Sequence, residues 1–197
     1  MTYELLPALI GFAFVSTMTP GPNNLMLLAS GANFGFLRTV PHMLGIGIGF
    51  ALMVFLVGVG LMQVFVALPP LRMVMQALSI AFLLYLAWKI ATAAPPAEGA
   101  ATGRPLTFLQ AAAFQWVNPK AWAMGMAAVT TYAPGSGAWA ALVVASAFAF
   151  SSLFSTTGWT ALGQQLRRWL SRPGRLRAFN LTMALLLLAT LYPILLG

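Results

Sequence analysis

Six long apolar stretches follow one another along this chain, and they require a fold that lies in a membrane. They cover residues 5–32, 40–68, 71–94, 106–132, 138–166 and 178–196. A helix needs about 20 mostly apolar residues to cross the hydrocarbon core of a bilayer, and each stretch approaches or exceeds that length. Only 6% of the residues are charged, far fewer than in a soluble globular protein. We therefore expect an all-α integral membrane protein with six transmembrane helices.

Short segments rich in proline and glycine separate the stretches, and none is long enough to form a soluble domain. The N-terminus lacks the positive region of a signal peptide, so the first stretch is expected to remain as a helix. We predict a single transmembrane transporter domain over residues 1–197, with repeat 1 at about 1–94, a loop at about 95–105 and repeat 2 at about 106–197. Three helices per repeat is an odd number, so the two repeats would be inverted relative to each other.

Basic residues lie almost entirely on one side of this predicted arrangement. If the N-terminus is outside the cytoplasm, one of the ten basic residues, Arg72, falls on the outer side. Lys120 is left out of this comparison because it lies within an apolar stretch. The other eight fall on the cytoplasmic side: Arg38, Lys89, Arg104, Arg167, Arg168, Arg172, Arg175 and Arg177. The positive-inside rule then predicts that both termini are non-cytoplasmic. Topology and anionic lipid headgroups explain the net charge of +8, so no nucleic-acid partner is expected.

Proline and asparagine interrupt the first and fourth stretches in corresponding places. A proline removes a backbone donor and disturbs the preceding turn, and such backbone is tolerated in a membrane only against protein or a water-filled cavity. Matched breaks in two halves are typical of transporters, whose substrate site lies near the bilayer midplane. Kinks that only shape helix packing are the alternative. The predicted substrate-binding residues are Pro20, Gly21, Pro22, Asn23, Asn24, Asn118, Pro119 and Lys120.

Lys120 is the strongly basic residue deep in a predicted span, and an ionisable residue there is a functional hypothesis by default. The alternative is that its long stem carries the ammonium toward an interface. Both acidic residues, Glu4 and Glu98, lie outside the spans, so a substrate carboxylate is the expected counter-ion. Free N–H groups where the broken helices resume would also suit a carboxylate. A cationic side chain would find no buried partner, which favours neutral amino acids.

The second stretch contributes a histidine and a pair of glycines. His42 is the sole histidine, and we interpret it either as a proton-coupling residue, together with Lys120, or as an interfacial hydrogen-bonding residue. Gly45 and Gly49 have the spacing of small residues at a close helix contact, which predicts a packing role.

The fifth stretch is unusually rich in hydroxyl groups. We predict that Ser155, Thr156 and Thr157 line the cavity, together with Asn180 from the last stretch. The alternative is that these side chains bond to their own helix or to neighbouring helices.

The inventory of reactive side chains excludes several functions. The chain has no cysteine, one histidine and no carboxylate within a span, so it lacks the residues for a nucleophile with its base or for a cluster of metal ligands. Neither a membrane enzyme nor a metal exporter is expected, and we predict no cofactor and no metal site.

Two motifs resemble those of a known family, the LysE/RhtB (lysine exporter/homoserine-threonine exporter) family of amino-acid export proteins. The first is Met18-Thr19-Pro20-Gly21-Pro22-Asn23-Asn24, and the second is Phe114-Gln115-Trp116-Val117-Asn118-Pro119-Lys120. The resemblance extends over the whole chain in length, span count and order. It implies an exporter of amino acids or close derivatives in the bacterial inner membrane, driven by the proton motive force and assembled as a homodimer. The remaining alternatives are an exporter of another small solute and a non-transporting membrane assembly protein.

Overall fold

The computed structural model describes residues 5–61, 63, 67–68, 70–93, 103–133 and 137–192. These ranges are helical throughout, apart from short turns, and a π-helical segment, Val57–Leu61, extends the third helix. The α-helices are α1 (Leu6–Met18), α2 (Pro22–Phe34), α3 (Phe36–Leu56), α4 (Pro70–Ala91), α5 (Phe108–Gln115), α6 (Pro119–Tyr132), α7 (Ala138–Trp169) and α8 (Pro173–Ala189).

Three helical segments of the described chain are long and apolar enough to cross a membrane: Phe36–Leu61, Met73–Ala91 and Ala138–Trp169. The first and fourth predicted spans are each divided into two shorter helices, α1 with α2 and α5 with α6. Large apolar side chains such as Leu37 and Leu185 are exposed on the outer faces, as expected where lipid replaces water. The predicted all-helical membrane fold is confirmed, whereas six spans in two inverted repeats remain a prediction.

Helix boundaries differ from the sequence prediction most at the last span, whose helix begins at Pro173 instead of residue 178, and at the second span. The second span begins at Phe36 instead of residue 40, because one residue, Gly35, suffices to turn the chain between α2 and α3. Gly35 has φ 83°, a left-handed conformation that glycine adopts without steric cost. Residues 69 and 134–136 between the stretches lie outside the described residues, as do 95–102 of the predicted loop. The end of the last span and the side chain of Arg72 lie outside them as well.

Helix α7 is the centre of the bundle. Helices α1, α2 and α3 all pack against it, while α3 also contacts α5, and α4 contacts α8. At ~1.5 Å per residue its 32 residues extend for about 48 Å, longer than a bilayer core, and its last turn carries Arg167 and Arg168. One core cluster contains Phe50, Met53 and Phe148 around α7. A second cluster packs α4 and α8 against the remaining helices.

Glycines permit the closest of these contacts. A Cβ atom on Gly31 of α2 would collide with the Thr160 carbonyl of α7, and one on Gly163 of α7 would collide with the Leu28 carbonyl of α2. Gly45 and Gly49, the predicted packing pair, lie where α3 crosses α5. A Cβ on Gly49 would stand 2.6 Å from the Ala112 Cα atom. Such backbone contact is the usual role of small residues between membrane helices.

The basic residues gather at one end of the bundle, where α2 and α7 finish and α8 begins; we call it the basic end. The Arg38 side chain donates to the Gly103 carbonyl, 3.3 Å away. The Arg167 side chain lies beside Gly35, and the Arg175 guanidinium stacks over the Trp169 ring. Basic residues that are scattered along the sequence therefore meet at one end, as the positive-inside interpretation requires.

We expect Gly163→Ala to lower the thermal stability of the purified protein in detergent and Gly158→Ala to leave it unchanged or raise it. Overpacking against a fixed backbone typically costs about 1–3 kcal/mol. Gly158 lies on the same helix, yet nothing lies within 4 Å of a Cβ atom there. Alanine at that position should gain about 0.5–1 kcal/mol of helix preference. Equal unfolding temperatures for the two variants would contradict the close α2–α7 contact.

Candidate functional site

The break between α1 and α2 lies midway along the first predicted span. Helix α1 ends at Met18 and α2 begins at Pro22, and each is 13 residues or ~20 Å long. Two prolines cause this ending, since Pro20 and Pro22 cannot donate to the carbonyls of the preceding turn. The carbonyl groups at the end of α1 are therefore left without helical partners near the middle of the bundle.

Side chains from other helices cap these carbonyls. The Thr17 carbonyl accepts from Asn24 Nδ2 and from Ser155 Oγ, each at 2.8 Å. Asn24 Nδ2 also donates to the Thr19 carbonyl at 2.8 Å, and Trp159 Nε1 donates to the Met18 carbonyl at 3.2 Å. Helices α2 and α7 thus supply the hydrogen bonds that the proline break removes, as unpaired backbone in a membrane requires.

Lys120, from the start of α6, completes this capping. Its Nζ atom donates to the Thr19 carbonyl at 2.6 Å, to Thr19 Oγ1 at 3.0 Å and to the Pro20 carbonyl at 3.3 Å. These three bonds use all the donors of an ammonium group. The end of a helix carries partial negative charge, so the C-terminus of α1 supplies part of the compensation that the sequence prediction had assigned to a substrate.

A reciprocal pair of amides connects the two breaks. Asn23 Nδ2 donates to Gln115 Oε1 at 2.9 Å, and Gln115 Nε2 donates to Asn23 Oδ1 at 3.1 Å. Gln115 also donates to the Ala111 carbonyl of its own helix and is completely buried. Gln115 lies within the second motif but was not among the predicted site residues. Its position in an apolar helix, directly before the second break, was the available signal.

The second break begins at Trp116, after the end of α5. Asn118 is the N-cap of α6, where its side-chain oxygen accepts from the Lys120 backbone N–H at 3.2 Å. Pro119 occupies the first turn, a position where its missing N–H costs nothing. Trp122 Nε1 donates to the Trp116 carbonyl at 2.8 Å. Asn118 is 1% exposed, so this cap is part of the buried interior.

The two breaks enclose a small central cavity. Its lining includes Gly21, Asn23, Asn24, Asn118 and Lys120, and α7 adds Ser152, Ser155 and Thr156. Its volume is about 30 Å³, enough for about two water molecules and too small for an amino acid. Helices α2 and α6 both begin at this cavity, so two positive helix ends border it. No carboxylate side chain lies within the described part of the chain.

Several predicted residues do not line the central cavity. Pro20, Pro22 and Pro119 form the breaks beside it but are not among its lining residues. Thr157, Asn180 and His42 lie elsewhere. Thr157 is exposed, because it follows Thr156 by one residue and a helix turns by ~100° at each step. Asn180 lies at the basic end, where it and Asn33 form a second reciprocal amide pair with bonds of 2.9 and 3.2 Å. His42 is 1% exposed and lines a different cavity, and neither ring nitrogen has a partner in the described residues. It is therefore not an interfacial hydrogen-bonding residue.

The central cavity brings together groups that attract negative charge and groups that accept hydrogen bonds. Positive helix ends and the Lys120 ammonium attract a carboxylate, while amide and hydroxyl oxygens can accept from an amino group. Metal coordination is not indicated, since no cluster of three or more His, Cys, Asp or Glu lies within the described ranges.

Comparison with known proteins identifies the family. The profile described as "LysE type translocator" matches residues 14–190, which include both breaks and nearly all of the helices. This chain belongs to the LysE type translocator family. The resemblance seen in the two motifs is thereby confirmed. Members of this family are membrane transport proteins, so the expectation of a transporter and not an enzyme is confirmed at family level.

Curated relatives match the translocator almost from end to end. The cysteine/O-acetylserine efflux protein of Escherichia coli (strain K12) is 32% identical over 190 residues, covering 95% of both chains. The protein of the same name from Shigella sonnei (strain Ss046) is also 32% identical, with 95% of both chains covered. The one from Escherichia coli O139:H28 is 31% identical over 191 residues, 95% of this chain and 96% of that protein. No solved structure matches the chain.

The Asn23–Gln115 pair should be energetically coupled. We expect Asn23→Ala and Gln115→Ala each to destabilise the protein, because each leaves a buried amide unpaired, and the double variant to lose less than the sum by about 1 kcal/mol. The free energies of unfolding of the single and double variants are measured in mixed micelles. Asn23→Ala combined with Gln110→Ala, an exposed glutamine of the same helix α5, is the control and should be additive. Additivity in both cycles would contradict the amide pair.

Proposed function

We propose that this translocator exports a small neutral amino acid, or a close derivative of one, from the cytoplasm by way of the central cavity. The observation that carries the proposal is the meeting of two proline-broken helices around one polar cavity without a carboxylate. The relatives named for efflux of cysteine and O-acetylserine support a small, uncharged side chain. In this proposal Pro20, Gly21, Pro22 and Pro119 shape the site, whereas Asn23, Asn24, Asn118 and Lys120 present its polar groups.

The substrate carboxylate is assigned to the beginnings of α2 and α6. Both helices start at the cavity, where N–H groups without helical partners and the macrodipole favour an anion. The ammonium of Lys120 lies beside the same space, close to Gly21: a Cβ atom there would be 3.1 Å from Nζ. The substrate amino group is assigned to the side-chain oxygens of Asn24, Ser155 and Thr156, which also line the cavity.

Transport requires the cavity to widen and to open to each side in turn. We assign this motion to two inverted repeats, residues 1–94 and 106–197, which move relative to each other around the site. The Asn23–Gln115 pair joins one repeat to the other, so it is expected to break and re-form during transport. The proposed driving force is the proton motive force, with Lys120 and His42 as the candidate coupling residues.

The proposed location is the bacterial inner membrane, with the basic end at the cytoplasmic face and both termini on the opposite side. The positive-inside rule supports this orientation, because the basic end collects arginines from α3, α7 and α8. We also propose that the translocator assembles as a homodimer, on the basis of the family resemblance.

Efflux from proteoliposomes tests the proposed function. Vesicles preloaded with labelled L-cysteine, O-acetyl-L-serine, L-serine, L-lysine or L-arginine are compared with and without a pH gradient. We expect export of one of the neutral compounds, and losses of about tenfold or more in Asn118→Ala and Lys120→Met, since a hydrogen bond to a charged group is worth about 1.5–3 kcal/mol. Thr157→Ala, exposed on α7, is the control and should export like the wild type. Exclusive export of lysine or arginine would contradict the neutral substrate, and no export would favour an assembly role.

Single cysteines test the orientation, since the natural chain has none. Ser171→Cys places a thiol at the basic end and Gly137→Cys places one at the other end of α7, both at exposed positions. In intact cells a membrane-impermeant maleimide should label Gly137→Cys and leave Ser171→Cys unlabelled until the membrane is opened. The reverse pattern would show that the termini are cytoplasmic.

A further inference from the structure

A second cavity lies at the basic end of the bundle, and we call it the basic-end cavity. It has a volume of about 60 Å³ and is bounded by Asn33, His42, Lys89 and Arg104 together with apolar side chains. We propose that it is a second substrate-binding site, which holds the carboxylate of the amino acid before it reaches the central cavity. The proposal rests on the proposed function for the class of substrate and the direction of transport.

His42 is the first observation that points to a ligand. The side chain is 1% exposed, lines the basic-end cavity, and has neither ring nitrogen in a hydrogen bond within the described chain. A buried polar group without a partner is costly, so such groups are rare unless something binds to them. An imidazole N–H that faces the cavity can donate to a carboxylate oxygen.

Two cations supply the charge for an anion. Lys89, half-buried in the last turn of α4, and Arg104, exposed at the mouth, both line the cavity. Neither has an acidic partner among the described residues, which include no aspartate or glutamate. Arginine and lysine bind carboxylates through short, charge-assisted hydrogen bonds. Two cations and an imidazole that have no partners within the described ranges together favour a small anion.

The remaining walls are mostly apolar, apart from Asn33 and from Ser30, whose hydroxyl is hydrogen-bonded to Thr39. Met26, Leu86 and Ile90 contribute hydrocarbon surface, which suits the side chain of a small neutral amino acid. Asn33 is held by its bonds to Asn180 and to the Ala29 carbonyl, so the polar atoms of its amide are already satisfied. Recognition of the charged group is thus left to His42, Lys89 and Arg104.

The position of the basic-end cavity distinguishes a transport site from a lipid site. Ile46 lines the central cavity and His42, one turn earlier on α3, lines the basic-end cavity. On α2, Asn23 lines the central cavity, and Met26, three residues later, lines the basic-end cavity. Met26 and Ile46 are each 3% exposed and belong to one buried apolar cluster. The two cavities therefore follow one path along α2 and α3, closed between them by apolar side chains.

The first test observes His42 directly, without transport. Protein labelled at its single histidine and purified without a histidine tag gives one imidazole signal by NMR. We expect saturable shifts of that signal on titration with L-cysteine or 3-mercaptopropionate, which both carry a carboxylate, and no shift with cysteamine, which lacks it. The response should disappear in Lys89→Gln/Arg104→Gln and persist in Arg172→Gln/Arg177→Gln, a pair of exposed basic-end residues. Equal responses to cysteamine and L-cysteine would overturn the proposal.

The second test is kinetic. The measured quantity is the KM at the basic-end side for the amino acid that the wild type exports. Lys89→Gln/Arg104→Gln should raise this KM by about tenfold, as expected for a lost charge-assisted hydrogen bond. Arg172→Gln/Arg177→Gln should leave it unchanged. Labelling of Ser171→Cys in both backgrounds checks that the orientation is retained. An unchanged KM in the first variant would overturn the proposal.

Vesicles with and without phosphatidylglycerol separate a lipid headgroup from the substrate. An increase in KM that occurs only with phosphatidylglycerol would assign the cavity to a lipid and overturn the proposal. An increase in both lipids supports the carboxylate site. Failure of the proposed function gives a different result, because then no amino acid leaves the wild-type vesicles at all. Intact efflux with an unresponsive His42 signal would overturn the carboxylate site alone.

Discussion

The rest of the structure depends on how the carbonyl groups at the end of α1 find hydrogen-bond donors inside the bundle. Two prolines end this helix halfway along its span, where the next helical turn cannot supply donors. The donors come from three other helices: Asn24 of α2, Lys120 of α6, and Ser155 and Trp159 of α7. Each of these helices must therefore lie close to the break, so the hydrogen bonds that stabilise the break also assemble the site around it.

Close approach of the helices makes this capping geometrically possible. Gly31 and Gly163 bring α2 and α7 into backbone contact, and Gly49 does the same for α3 and α5. Side chains as short as serine can then reach a carbonyl on another helix, as Ser155 does. Two reciprocal amide pairs, Asn23–Gln115 near the centre and Asn33–Asn180 at the basic end, add polar contacts between distant parts of the sequence. The Asn23–Gln115 pair joins the two repeats that are proposed to move relative to each other.

The two cavities divide the polar residues into two groups with different tasks. At the centre most polar groups already serve the backbone, so a substrate must share donors with the breaks, and the cavity must widen to admit it. At the basic end, Lys89, Arg104 and His42 make no such hydrogen bonds to the backbone within the described residues. An amino acid that enters from the basic end would therefore first meet donors that are free to bind it. In the central cavity it would then meet donors that are already bonded to the backbone. In the proposed function, this order provides binding energy at the basic end before the substrate reaches the central cavity.

The sequence by itself determined the membrane location, the two breaks, the gathering of basic charge and the family, because all of these follow from composition, local proline chemistry and short motifs. It also indicated that Asn118 and Lys120 belong near the first break, since matched interruptions imply a shared site. The tertiary structure alone decided which atoms meet: that Lys120 caps α1, that Gln115 pairs with Asn23, that Thr157 is exposed on the outside of α7, and that His42 is buried without a partner in the described chain. The physical reason is that hydropathy specifies which segments enter the bilayer but not their rotation about the helix axis or their neighbours. Those are set by glycine contacts and by buried hydrogen bonds between residues about 100 positions apart, which no local pattern records.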